Sequence, residues 1–256
     1  MSERFINPVF IGHGSPMNAI AQNRYTRFLG SLGESVAPEA ILVVSAHWRT
    51  KGTRITGAAH PEQIYDFYGF PDELYNIKYA PPGMPDLAAE IAREIPGIEV
   101  DPTRGIDHAG WAVAIHMYPE QNIPILQLSL EAGKTEREHF ELGKALRKFA
   151  ERGILVIGSG NVVHNLRDID FDDGAKPFKW SMEADGWVKE KTERYAIDEL
   201  IDYKKHFPDY LRALPTDEHY LPLLYILGMK NDGERVTTLF EEIQNGSISM
   251  RSLKVG

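Results

Sequence analysis

Short apolar runs that end in small residues set the rhythm of this chain. Ile41-Leu42-Val43-Val44-Ser45-Ala46-His47-Trp48 opens with four aliphatic residues, three of them β-branched, the pattern of a strand buried on both faces. Pro8-Val9-Phe10-Ile11-Gly12-His13-Gly14-Ser15 repeats it, and so does Ile154-Leu155-Val156-Ile157-Gly158-Ser159-Gly160, which runs on through Asn161-Val162-Val163 to His164. Ile123-Pro124-Ile125-Leu126-Gln127-Leu128-Ser129-Leu130 is a fourth buried strand, and residues 53–57 and 98–100 are shorter candidates. Between these runs the apolar spacing turns helical. The pattern predicts helices over residues 18–32, 85–95, 110–118, 135–151 and 180–202, and a last helix opening at Pro215-Thr216 with Thr216 as its N-cap. In the segment after residue 235, Asn245-Gly246 reads as the turn of a closing strand pair.

Strands alternating with helices predict an α/β fold: a central mixed, largely parallel sheet with helices on both faces, in a single domain over residues 1–256. In such sheets ligands bind beyond the carboxyl ends of the strands. Three of the runs deliver a histidine near that end: His13, His47 and His164. His219, read as lying in the first turn of the last helix, would be kept neutral by the helix N-terminus. Four imidazoles from strand ends, a post-strand loop and a helix start can meet in one crevice, and His108, in a loop before a helix, can line it. By the same reading His116 is structural, His139 lies on a solvated helix face and His206 is exposed.

Composition narrows the chemistry. The chain has no cysteine, so any metal must use nitrogen and oxygen donors. A set of three histidines with open positions suits a catalytic zinc, iron, copper or nickel ion better than a closed structural one. A formal net charge of −9 argues against non-specific nucleic-acid binding. No run approaches the roughly 20 apolar residues of a membrane helix, and no signal peptide precedes the first strand, so a cytoplasmic location is expected. Gly-x-Gly-x-x-Gly, Walker A and Gly-x-Ser-x-Gly motifs are absent. The segment from Ile64 to Pro71 (Ile-Tyr-Asp-Phe-Tyr-Gly-Phe-Pro), followed by Tyr75 and Tyr79, is too aromatic and too broken for a regular element. It reads either as the wall of a pocket for a flat substrate or as a satellite core.

These segments, in this order, resemble the class III extradiol ring-cleaving dioxygenases, specifically the DOPA 4,5-dioxygenase type of the LigB-like superfamily. The resemblance rests on Gly12-His13-Gly14-Ser15-Pro16, Ser45-Ala46-His47-Trp48, the 64–71 aromatic segment, Asp107-His108-Ala109-Gly110-Trp111, Gly158-Ser159-Gly160 through His164-Asn165-Leu166, and Pro215-Thr216-Asp217-Glu218-His219. It implies His13, His47 and His219 as metal ligands, and His164 as catalytic acid/base or a further ligand. It also implies His108 as a catalytic residue that touches substrate or oxygen, with Ser15, Tyr65, Phe67 and Tyr68 beside the substrate. The implied cofactor is Fe(II), with Zn(II) occupying the same donors on isolation. The implied partners are a small-molecule catechol and O2, with no nucleic acid or membrane, in a monomer or small homo-oligomer. Leu214 departs from relatives that carry histidine before the Pro-Thr pair, which would alter the preferred catechol if that position touches substrate. Two rival readings keep the metal: a zinc-dependent hydrolase with His164 activating water, and a non-catalytic metal-binding member of the superfamily.

Overall fold

The apolar runs are strands at the centre of an eight-stranded sheet. The computed structural model describes residues 5–172 and 174–256. Its strands are β1 (Val9–Gly12), β2 (Ala40–Thr50), β3 (Thr53–Thr56), β4 (Ile98–Asp101), β5 (Ile125–Glu131), β6 (Ile154–Gly160), β7 (Val236–Phe240), β8 (Ile243–Gln244), β9 (Ile248–Ser249) and β10 (Ser252–Val255). The sheet runs β4-β3-β5-β2-β6-β1-β10-β7, with β8 and β9 forming a separate two-stranded ladder. The four most apolar strands, β5, β2, β6 and β1, are parallel neighbours. The sheet is mixed because β3 pairs antiparallel with β5, and β10 antiparallel with both β1 and β7.

Alternation along each strand builds two cores. Ile41, Val43, Ile125, Leu155 and Ile157 face one side, where they pack with Tyr25, Leu29, Trp111 and Met117. Those partners come from helices α1 (Arg24–Ser35) and α4 (His108–Met117); α2 (Asp72–Asn76) is a single short turn between them in the chain. Leu42, Val44, Leu126, Leu128 and Val156 face the other side. There they meet α3 (Pro85–Glu94), α5 (Glu136–Ala150), α6 (Lys179–Glu193), the short helices α7 (Ile197–Ile201), α8 (Tyr203–His206) and α9 (Tyr210–Ala213), and α10 (Leu221–Gly228). Helices on both faces explain why the strand sequences are continuously apolar rather than alternating with polar residues.

Several predicted boundaries move, each for a local reason. The helix expected over 18–32 is a 3-10 turn at Pro16–Ala19 followed by α1. Asn23 separates them: its side chain accepts the Thr26 N–H and Thr26 accepts the Asn23 N–H, a capping box that starts α1 afresh. The helix expected over 180–202 breaks after α6, where Tyr195 takes a left-handed conformation (φ 49°) and the Ala196 N–H reaches back to the Lys191 carbonyl. Asn245 and Gly246 do form a positive-φ turn, but it joins the short β8–β9 ladder; the longer pair, β7 with β10, belongs to the main sheet.

The reading of His139 as solvated is wrong. It is fully buried where α5 packs on α10, and its Nδ1 lies 2.9 Å from the Tyr225 hydroxyl. The two helices approach closely because Gly143 and Gly228 have no Cβ; one added at Gly143 would sit 2.2 Å from the Tyr225 carbonyl oxygen. His139 precedes Gly143 by four residues, so it shares that contact face. Burial pushes its pKa down to about 4. The folded state therefore resists protonation that the unfolded chain accepts near pH 6.5. Stability is intact above that pH and falls as pH drops towards 4, by about 3 kcal/mol from this residue. His139→Gln should flatten the acid limb of the stability curve in urea melts at stepped pH. An unchanged limb would remove His139 as a contributor.

Candidate metal centre

Parallel pairing in the order β2-β6-β1 brings the carboxyl ends of these strands side by side. His13 follows β1 directly, its N–H bonded to the Gly160 carbonyl at the end of β6 (3.0 Å). His47 sits within β2 where the pairing with β5 slips between Val44 and Arg49. Such an irregularity re-aims side chains that a regular ladder would hold above or below the sheet. His219 lies in the turn before α10, not in the helix's first turn as predicted. Thr216 does not cap α10; its hydroxyl donates to Glu218 Oε1 at 2.8 Å. The Asn161 N–H holds the His219 carbonyl at 2.9 Å, and Gly160 permits this approach, since a Cβ there would lie 2.1 Å from that oxygen.

These three rings converge. His47 Nε2 lies 3.2 Å from His13 Nε2 and 3.2 Å from His219 Nε2. The outer nitrogens are engaged elsewhere: His13 Nδ1 with Ser159 Oγ (3.0 Å), His47 Nδ1 with Asp66 Oδ2 (3.1 Å) and His219 Nδ1 with Glu218 Oε1 (3.0 Å). An ionised carboxylate only accepts, so His47 and His219 carry their proton on Nδ1 and turn bare Nε2 lone pairs towards each other. Lone pairs at that separation repel unless a cation lies between them. Two bonds of about 2.0–2.1 Å to one ion, with about 100° between them, reproduce a 3.2 Å nitrogen spacing. The donor set therefore fits a transition-metal ion of the kind imidazole favours, and the outer carboxylates are the usual partners that orient such ligands. Burial, then the neighbouring imidazoles, hold His13 and His219 well below the ordinary histidine pKa, in the neutral form a metal needs. For His219 this replaces the helix-terminus explanation offered by the sequence.

The two remaining predicted histidines flank the triplet. The His164 ring stacks on His219 with centroids 3.6 Å apart and 9° between planes. Face-to-face stacking sets its donors alongside those of His219 rather than opposite them, and among the described residues only Glu218 and His219 share a donor cluster with it. Burial pushes its pKa well down, followed by the charge effects of His219 and His47. The His108 ring centroid lies 4.1 Å from that of His47 and 5.4 Å from that of His13. His108 opens α4 behind its cap, Asp107, which is fully buried and also accepts from Ser45 Oγ, Gln127 Nε2 and Arg104.

The aromatic segment divides. Phe67 packs edge-on against His108 (5.5 Å), and Tyr65 joins Phe67 and Trp111 in the same ring cluster, its hydroxyl donating to the Ile77 carbonyl. Tyr68 is 92% exposed and takes no part in that cluster. Ser15 caps the 3-10 turn, its Oγ accepting the Met17 N–H at 3.2 Å. Leu214 is buried in the core that holds α10. Sequence reasoning missed Asp66, Glu218 and Ser159 as partners of the histidines. Glu218 adjoins its histidine in the chain; Asp66, an acid set among four aromatics, was the one visible anomaly.

With this geometry in view, comparison with known proteins is direct. Residues 10–251 match the family described as the catalytic LigB subunit of aromatic ring-opening dioxygenase. A 4,5-DOPA dioxygenase extradiol of Escherichia coli K12 is 41% identical over 263 aligned positions, covering the whole of this chain and 97% of the relative. One from Beta vulgaris is 34% identical, covering 96% of this chain and 94% of the relative. The crystal structure of an uncharacterized protein from Escherichia coli K12 superposes with a TM-score of 0.85 at 37% identity, over 99% of this chain and 100% of that one. The chain belongs to the LigB family and is a class III extradiol ring-cleaving dioxygenase, an oxidoreductase acting on a small molecule. The family implies a non-haem metal, and the histidine and carboxylate cluster supplies a donor set for one. Among the described residues, no helix is long and apolar enough to cross a membrane.

Proposed function

We propose that this protein opens the ring of a DOPA-like catechol with O2 at an Fe(II) ion held by His13, His47 and His219. The observation that carries the reading is the meeting of three Nε2 atoms in one cluster, two of them forced to be bare by carboxylates behind them. The names of the relatives, 4,5-DOPA dioxygenase extradiol, supply the substrate class. When bound, the ion supplies chelation of both catechol oxygens and a path for electrons from the ring to O2. Zinc fits the same donors and has no redox chemistry to offer.

The remaining roles fall to the chain's own side chains. His164, neutral and stacked beside the cluster, accepts a proton from a catechol hydroxyl and can return it later in the cycle. His108 hydrogen-bonds the substrate. Phe67 and Tyr65 wall the ring and exclude water, Ser15 bounds the turn next to His13, and Tyr68, held in solvent, is left out of the wall. Both atoms of O2 end in the product, a ring-opened semialdehyde acid. The test is anaerobic loading with Fe(II), then O2 uptake and visible absorbance across a panel of catechols that includes DOPA. The expected result is O2 consumption with a yellow product, and none from zinc-loaded protein. An iron-loaded protein that consumes no O2 with any catechol would refute the reading.

A further inference from the structure

We propose that Asp66 is a positioning residue that joins the metal centre to the substrate side of the site by fixing, with one carboxylate, both the ligand His47 and the substrate-facing His108. The proposal rests on the reading above that His47 binds the metal and His108 meets the catechol. Asp66 Oδ2 accepts from His108 Nδ1 (2.9 Å) and from His47 Nδ1 (3.1 Å), while Oδ1 accepts the backbone N–H of His108 (3.0 Å). Three donors from two elements thus end on one side chain that is only 17% exposed. A carboxylate cannot donate, so each ring must carry its proton on Nδ1 and leave Nε2 bare. His47 spends that lone pair on the ion. His108 is left with an acceptor, so it receives a hydrogen bond from a catechol hydroxyl rather than donating one to bound oxygen.

The carboxylate is held rigidly enough for this task. The loop that carries it is fastened to the segment before His108 by two backbone bonds, Ile64 N–H to the Ile106 carbonyl and Ile106 N–H to the Glu62 carbonyl, both 2.8 Å. The Trp111 indole N–H adds a third bond to the Ile64 carbonyl (2.9 Å). Gly105 makes the approach possible, since a Cβ there would lie 2.1 Å from the Glu62 carbonyl oxygen. Metal ligands whose outer partner is removed lose roughly 10–100-fold in affinity. An asparagine at this position keeps the shape but offers one acceptor oxygen and one donor where three N–H groups converge.

Zinc affinity of the purified apo-protein, measured by competition with a chelator, should fall roughly 10–100-fold in Asp66→Asn. It should stay within a few-fold of wild type in His108→Ala. Nitrogen-15 NMR of zinc-loaded wild-type protein should show His108 protonated on Nδ1, and Asp66→Asn should move that proton to Nε2. The wild-type spectrum carries the test even where the variant folds poorly. A wild-type His108 protonated on Nε2, or a folded Asp66→Asn that binds zinc as tightly as wild type, overturns the role of Asp66 alone. If His47→Ala also binds zinc normally, the metal-centre reading itself falls.

Discussion

His47→Ala should leave a folded protein that retains no metal. His47 is the ring through which the cluster is connected: its Nε2 faces both other Nε2 atoms at 3.2 Å. Removing it leaves only two of the three donors and deprives Asp66 of one partner. The loss should exceed the 10–100-fold typical of outer-partner changes. The fold should survive, because His47 is partly exposed and lies beyond the continuous apolar run that anchors β2 in both cores. Metal analysis after dialysis, paired with a thermal melt, separates the two effects. A stoichiometric ion in the variant would remove His47 from the site.

The second large effect should come from a residue that offers the metal no donor of its own. Gly160→Ala places a methyl group 2.1 Å from the His219 carbonyl oxygen, and the obstacle is backbone. Either β6 or the turn before α10 must move. Overpacking of this kind costs about 1–3 kcal/mol, and movement of the turn carries His219 away from His47. Lower stability in urea should therefore accompany weaker zinc binding. Gly186→Ala in α6 is the control: its Cβ meets nothing within 4 Å, so helix propensity should make it neutral or stabilising by up to about 1 kcal/mol. A Gly160→Ala protein with wild-type stability and zinc affinity would show that this close approach does not position His219.

How much of this was legible in the sequence follows from which interactions are periodic. Ile41 to Val44, Ile154 to Ile157 and Val9 to Ile11 announce two-faced burial by composition, and parallel pairing then brings the ends of these runs, near which His13, His47 and His164 lie, to one edge of the sheet. Signals that compete with periodicity were harder to read. Asn23 restarts a helix, Tyr195 stops one through a left-handed bend, and Thr216 resembles a cap but bonds a side chain instead. His139 looked solvated because charged residues surround it in the chain; the glycine four positions on, which lets α10 approach, was the contrary sign. Asp66 stood out as an acid among aromatics, but its role was out of reach for a different reason. Its partners lie 42 residues away at His108 and, at His47, across the turn of β2 into β3, and no local pattern encodes that meeting.

The donors that meet at the cluster are far apart along the chain: 34 residues between His13 and His47, 172 between His47 and His219. An ion held there would close loops of that length and act as a removable crosslink whose hold on the native state grows with the free metal concentration. It also sets an order of events on the ribosome. The amino-terminal pair is made first, and the third donor follows only after a further 172 residues. A chain ending before residue 219 has no complete centre, so full occupancy would record that synthesis had passed that residue.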